Sequence, residues 1–205
     1  MKKQAFTMIE LVMVIVVLGI LAALAMPRLD RDLRQEAKDN ILSAIRYTQH
    51  LALIDDKTVP GTNWQTTLWK ITFSTSGDNL ENFYTVSSDA NLNGSVDKAE
   101  TAIDPANGKY MFTDDSTIDA DESPNIFIGK TYGIINMTFN GGCSNEDPDI
   151  GFDNLGRPHN DIADAENDYD EYMNSDCIIQ FNFADASITP LTVTIATETG
   201  HVSAN

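Results

Sequence analysis

The chain has 205 residues, 42% hydrophobic and 21% charged, which suits one globular domain with an appendage and excludes global disorder. Its 13 Lys and Arg against 31 Asp and Glu give a net charge of −18, the wrong sign for a chain whose main partner is a nucleic acid. Two cysteines and three scattered histidines (His50, His159, His201) are too few for a small disulfide scaffold or a four-cysteine zinc site. The charge is uneven: residues 1–60 hold 8 basic and 7 acidic side chains, leaving 5 basic and 24 acidic for 61–205.

In chain order, Lys2 and Lys3 form a short positive head before 16 consecutive residues, Leu11–Met26, interrupted in apolar character only by Gly19. Counting Phe6, Met8 and Ile9, the stretch reaches the roughly 20 residues that a membrane-spanning helix needs. Lys2 and Lys3 would hold the extreme N-terminus in the cytoplasm. Two plain readings are a cleaved signal peptide, with Ala23-Leu24-Ala25 as its A-x-A site, and a single-span anchor. Neither has a use for Glu10, a carboxylate inside the apolar segment whose cost in lipid makes it a functional candidate.

The run Lys3-Gln4-Ala5-Phe6-Thr7-Met8-Ile9-Glu10-Leu11 resembles the class III leader of type IV pilins and type II secretion pseudopilins. In that family a basic leader ending in Gly precedes Phe-Thr-Leu-Ile-Glu-Leu, and a prepilin peptidase cuts after the Gly and methylates the new N-terminal Phe. The resemblance implies cleavage between Ala5 and Phe6, with Ala5 standing where the family has Gly. It makes Phe6 and Glu10 the assembly residues and matches Gly19 and Pro27 to family helix positions. It further implies a pilin-like fold and life as a single-pass inner-membrane protein with its C-terminal domain in the periplasm. Its partners would be other pilin or pseudopilin subunits, the prepilin peptidase and an inner-membrane assembly platform. Ser43–Leu53, Gly151–Pro158 and Val193–Val202 also resemble minor pseudopilins of the H type.

Beyond Pro27, where a kink is expected, Leu29, Leu33, Ala37, Ile41, Ala44, Ile45, Leu51 and Leu53 keep mostly three- and four-residue spacing. A helix over Phe6–Lys57 would be about 78 Å long, with Pro60-Gly61 as its stop. Arg28, Arg31, Arg34 and Lys38, interleaved with Asp30, Asp32, Glu36 and Asp39, read as a solvated, salt-bridged face. Strands are expected at Thr67–Ser74, Asn82–Ser88, Asn125–Gly129, Tyr132–Asn140, Cys177–Ala184 and Pro190–Ala196, with a short last one after the turn at Glu198–His201. The fold class is therefore α+β, a long N-terminal helix packed on an antiparallel sheet. The parts are a leader (1–5), an apolar spanning or filament-core helix (6–27), an amphipathic helix on the sheet (28–60) and an acidic β-rich domain (61–205).

Asp89–Glu100 matches the twelve-residue calcium loop, with oxygen-bearing Asp89, Asn91, Asn93, Asp97 and Glu100 at positions 1, 3, 5, 9 and 12. Gly94 permits the turn and the Ser95 carbonyl adds a ligand. The alternative is an Asx-rich surface turn without a metal. Ca2+ is the one cofactor expected. The acidic stretch Asp161, Asp164, Glu166, Asp168, Asp170, Glu171 and Asp176 has no ligand spacing that stands out and reads as part of a solvated loop over Asn145–Asp176, with a second cation site as the alternative. Cys143 and Cys177 bracket that loop, and outside the cytoplasm a disulfide is the default, adding roughly 3–4 kcal/mol on the chain-entropy model; the alternative is two free buried thiols. Ser203 and His201 form no triad and no G-x-S-x-G is present, so no catalytic residue is assigned and the chain is not read as an enzyme. The expected function is structural, as a minor pseudopilin of a type II secretion or related filament. A minor pilin of an adhesion, twitching or DNA-uptake pilus remains open, as does a secreted, calcium-stabilised adhesin or hydrolase.

Overall fold

The computed structural model describes residues 7–59, 63–75, 82–113, 118–163 and 171–205, and over 24–32 the backbone alone. Ala5, Phe6, Pro60-Gly61, Asp164, Glu166, Asp168 and Asp170 therefore lie outside the described residues, as do the side chains of Arg28 and Arg31.

One helix, α1 (Met8–Ile54, 47 residues), starts at the N-cap Thr7 and runs without a break through Pro27. It ends before the expected Lys57. Asp55 leaves the helical region (φ −132°), and its Oδ2 accepts from Trp69 Nε1 at 2.8 Å and pairs with Lys57 at 2.7 Å. Those bonds draw the chain away from the helix axis toward the head.

The head carries two four-stranded antiparallel sheets where one was expected. The first contains β1 (Trp69–Thr75), β2 (Asn82–Ser87), β4 (Asp149–Phe152) and β5 (Pro158–His159), in the order β2-β1-β4-β5. The second contains β3 (Ile134–Gly141), β6 (Cys177–Phe183), β7 (Leu191–Ile195) and β8 (Val202–Ala204), in the order β3-β6-β7-β8. They meet where Asn82 Nδ2 donates to the Ile134 carbonyl at 2.8 Å. Alternating burial in β1, β6 and β7 is the pattern of strands with one face on the core.

Two expectations fail here. Asn125–Gly129 is no strand: a 3-10 turn, Pro124–Ile126, leads into a short helix, α2 (Ile128–Tyr132). Ser123 accepts from the Asn125 N–H, Pro124 suits a first turn, and Gly133 (φ +72°) terminates α2. Ile126, Phe127 and Ile128 are all fully buried, and a short, continuously buried run carries no period to tell helix from strand. The loop expected over Asn145–Asp176 contains β4 and β5. All four residues of β4 are buried, because β4 pairs on both sides, with β1 and with β5.

The core lies between the second half of α1 and the sheets. Ala37, Ile41, Ala44, Ile45 and Ala52 are buried with Ile71, Phe73, Phe152, Val193 and Ile195. Leu53, expected on this face, is half exposed. Phe73 on β1 joins the two sheets, its ring edge-on to Phe181 at 5.6 Å and tilted against Phe139 at 6.0 Å. Trp64 lies in a 3-10 turn and packs in a separate small cluster with Leu68 and Ile162. Arg34 is no solvated member of a charged face. Its guanidinium donates to the carbonyls of Thr189 (3.0 Å), Pro190 (3.2 Å) and Asn205 (2.6 Å). Gln49 Nε2 similarly holds the Gly156 and Thr199 carbonyls at 2.9 and 3.0 Å. Gly200 (φ +62°) sits against the Gly156 carbonyl, which a Cβ at Gly200 would strike, so both the left-handed backbone and the close approach require glycine.

Candidate functional site

At the N-terminal end, Thr7 and Glu10 form a closed pair. Glu10 Oε2 accepts from the Thr7 N–H at 2.8 Å and from its hydroxyl at 2.7 Å, and the Glu10 N–H reaches Thr7 Oγ1 at 3.4 Å. This is a capping box, readable in the sequence as Thr-x-x-Glu at a helix start. Motif reading singled out Glu10 and missed Thr7, the residue that holds it. The arrangement satisfies free N–H groups of the first turn and gives the carboxylate two donors within its own chain, which lowers the cost of placing it beside apolar surroundings.

From Met8 to Leu21 every large hydrophobic side chain is at least 48% exposed, on all sides of the helix. Among the described residues no helix is long and apolar enough to cross a membrane. The described side chains of the apolar run stop at Ala23, short of the roughly 20 residues a span requires.

The Asp89–Glu100 loop brings its sequence-predicted residues together. Asp89, nearly buried, accepts the Asn93 N–H (3.2 Å) on Oδ1 and the Gly94 N–H (3.0 Å) on Oδ2. Asn91 Oδ1 accepts from Asn93 N–H at 2.9 Å, and Asn93 Oδ1 accepts from Ser95 N–H and Oγ–H, both at 2.8 Å. Glu100 spans the loop, with Oε1 on the Asn91 N–H (2.9 Å) and Oε2 on the Asp97 N–H (3.1 Å). Leu92 (φ 59°) and Gly94 (φ 77°) supply the left-handed turns. Among the described residues, no group of three or more His, Cys, Asp or Glu is placed to hold a metal ion. The loop's inward set is instead mixed, with amide and carboxylate oxygens already receiving backbone N–H groups. Lys98 fastens the loop to its neighbour through Asp119 (3.3 Å) and Asp121 (3.0 Å).

Cys143 and Cys177 form a disulfide, with their Cα atoms 5.0 Å apart. It ties the end of β3 to the start of β6, where Gly141 and Gly142 pack against the carbonyls of Asp176 and Ser175. The acidic stretch is not simply solvated. Asp176 Oδ1 accepts from the Thr197 N–H at 3.0 Å and Glu171 Oε2 from Gln65 Nε2 at 3.2 Å.

Two buried carboxylates of the β4–β5 hairpin are held oppositely. For Asp153, burial acts to raise the pKa. Contact with His159, the Arg157 N–H (2.8 Å) and the Arg157 Nε and Nη2 (both 2.7 Å) outweigh burial, leaving the pKa below the ordinary value. Asp149 meets longer contacts, Lys70 at 3.4 Å and the Asp161 N–H at 3.3 Å, and there burial prevails and raises the pKa.

Residues 1–26 match the family model described as the prokaryotic N-terminal methylation motif, the class III prepilin leader of type IV pilins and pseudopilins. The N-terminal segment is thus pilin-like, and the match stops before the amphipathic half of α1. No curated protein and no solved structure matches the chain.

Proposed function

We propose that this chain is a structural subunit of a pilus-like filament, a minor pseudopilin of a type II secretion or type IV pilus-like machine. The observation that carries the reading is one helix with two characters. Its first half, inside the matched motif, is apolar on every exposed side around a capped Glu10; its second half is packed into a folded head. In this reading a prepilin peptidase removes residues 1–5 and methylates Phe6. The apolar half then anchors the chain in the inner membrane, with the acidic head in the periplasm, until an assembly platform draws it into the filament beside other subunits. Glu10 offsets the positive charge of the new α-amino group and the positive end of the helix dipole, and pairing between subunits sets the axial register. Glu10→Leu is expected to be made, inserted and cleaved, yet to fail in filament recovery after shearing or cross-linking. Entry into filaments at the wild-type level would overturn the pairing role. N-terminal sequencing of the mature chain tests the class itself: Phe6 supports the filament subunit, and Met26 supports a secreted protein with a cleaved signal peptide.

The order of oxygen ligands in Asp89–Glu100, and a Glu100 that already closes the loop from both ends, support a calcium ion held by Asp89, Asn91, Asn93, Asp97, Glu100 and the Ser95 carbonyl. Bound to the folded state alone, calcium raises the melting temperature by mass action. Asp89→Ala with Glu100→Ala should abolish the difference between calcium and chelator, and an unchanged wild-type curve on chelation would refute the site. Magnesium should substitute poorly, because it prefers a smaller octahedral shell.

A further inference from the structure

We propose that Asn93 is a modification site, at which the side-chain amide is lost as ammonia through a succinimide closed by the Gly94 nitrogen. It applies to the loop without a cation, because Asp89 and Asn93 are also among the calcium ligands proposed above.

The reaction needs an attacking backbone nitrogen, a carbonyl carbon held over it, and room to close a five-membered ring. Three Asn-Gly pairs lie among the described residues, at Asn93, Asn107 and Asn140. Asn107 shares the Asx turn, through the Lys109 N–H at 2.9 Å, and the open space at its glycine, but only Asn93 has a carboxylate on the glycine N–H. The Gly94 N–H donates to Asp89 Oδ2 at 3.0 Å, so the nitrogen has a carboxylate base in contact with its proton. Asn93 Oδ1 accepts from the N–H and the hydroxyl of Ser95, each at 2.8 Å. An Asx turn of this kind folds the side chain forward over the Gly94 peptide, and its two donors sit on the oxygen where negative charge develops. Gly94 lacks a Cβ, and the place one would occupy has no atom within 4 Å.

The steps balance. Gly94 N gives its proton to Asp89 and bonds to Asn93 Cγ, producing an oxyanion at Oδ1 that Ser95 stabilises. The Cγ–Nδ2 bond then breaks as Nδ2 takes the proton from Asp89 and leaves as ammonia. Solvent water opens the ring at either carbonyl to give aspartate or isoaspartate. The aspartate product adds one negative charge to a loop whose carboxylates are Asp89, Asp97 and Glu100; isoaspartate lengthens the backbone and breaks the turn.

The other two pairs are restrained. The departing amide of Asn107 donates to Asp104 Oδ2 at 3.0 Å and to Ser123 Oγ at 2.9 Å, and the Gly108 N–H is bonded to the Asp104 carbonyl at 2.8 Å, which is no base. Asn140 and Gly141 lie in the ladder with Ile178 and Cys177, and the Asp176 carbonyl packs against Gly141.

The test is to hold the purified full chain in detergent in neutral buffer with a calcium chelator over days and to follow acid-for-amide exchange by peptide mass mapping at all three asparagines. Asn93 should convert several-fold faster than Asn107 or Asn140, yielding both aspartate and isoaspartate. A rate at Asn93 no higher than at the other two overturns the assignment. Asp89→Asn removes the base and loosens the loop, so the variant separates chemistry from mobility. A rate at Asn93 lowered by about tenfold or more is expected, and one unchanged or raised overturns the role given to Asp89.

Discussion

The two halves of α1 form one unbroken helix with opposite exposure. In the second half Ala37, Ile41, Ala44 and Ile45 are almost wholly buried against the sheets, and tertiary packing holds the helix. In the first half Val12-Met13-Val14-Ile15-Val16-Val17 exposes every side chain. Such a β-branched run is a weak helix former in water, and among the described residues nothing in the head packs against it. An apolar surrounding reverses the balance, because there a helix satisfies every backbone N–H and C=O internally. On the filament-subunit reading proposed above, an apolar surrounding that the head does not supply would complete the first half as the head completes the second.

Truncating one side chain in each half tests whether the two are independent. Ile45→Ala should lower the unfolding free energy of the full chain in detergent by about 2–5 kcal/mol, whereas Leu18→Ala should leave it unchanged. Trp64 and Trp69 both lie in the head and report its unfolding by fluorescence. Equal losses from the two variants would show that the halves are not independent. Replacing Cys143 and Cys177 together by Ser should cost the head roughly 3–4 kcal/mol on the chain-entropy model, read as a lower denaturant midpoint, with helix content of the stem preserved in circular dichroism. Arg34→Ala, at the point where the stem grips the sheet edge, should cost about 1–2 kcal/mol. Arg34→Lys should recover little, because an ammonium cannot reach three carbonyls from one planar group.

The smallest effect is electrostatic. Asp153 has its pKa lowered in the fold, so its contribution is present above the unfolded value near 3.9 and is lost as pH falls through the lower folded value. Asp149 is raised, so its charged form opposes folding at neutral pH, and protonation on acidification relieves that cost. Asp153→Asn should therefore destabilise at neutral pH more than Asp149→Asn does. The gap should close as pH is lowered below about 4, as read from chemical unfolding at successive pH values.

Local chemistry was legible in the sequence because it depends on near neighbours. The stem, its amphipathic switch, most strands of the head and the turn at Glu198–His201 follow from period and turn residues, and the Asp89–Glu100 loop from spacing alone. The Thr7 cap was equally legible and went unread. What only the tertiary structure decided depends on partners far along the chain. Ile126–Ile128 is apolar at every position, so its period is silent, and burial beneath α1 and β2 allowed a turn and helix. β4 and β5 hide in an acidic stretch because β1 pairs with β4 from some 80 residues away and β4 in turn pairs with β5. Arg34 looks like any solvated arginine until Thr189, Pro190 and Asn205 bring their carbonyls to it. Hydrogen-bond partners and buried neighbours at such separations leave no periodic mark on either segment, and so the division into two sheets belongs to the fold alone.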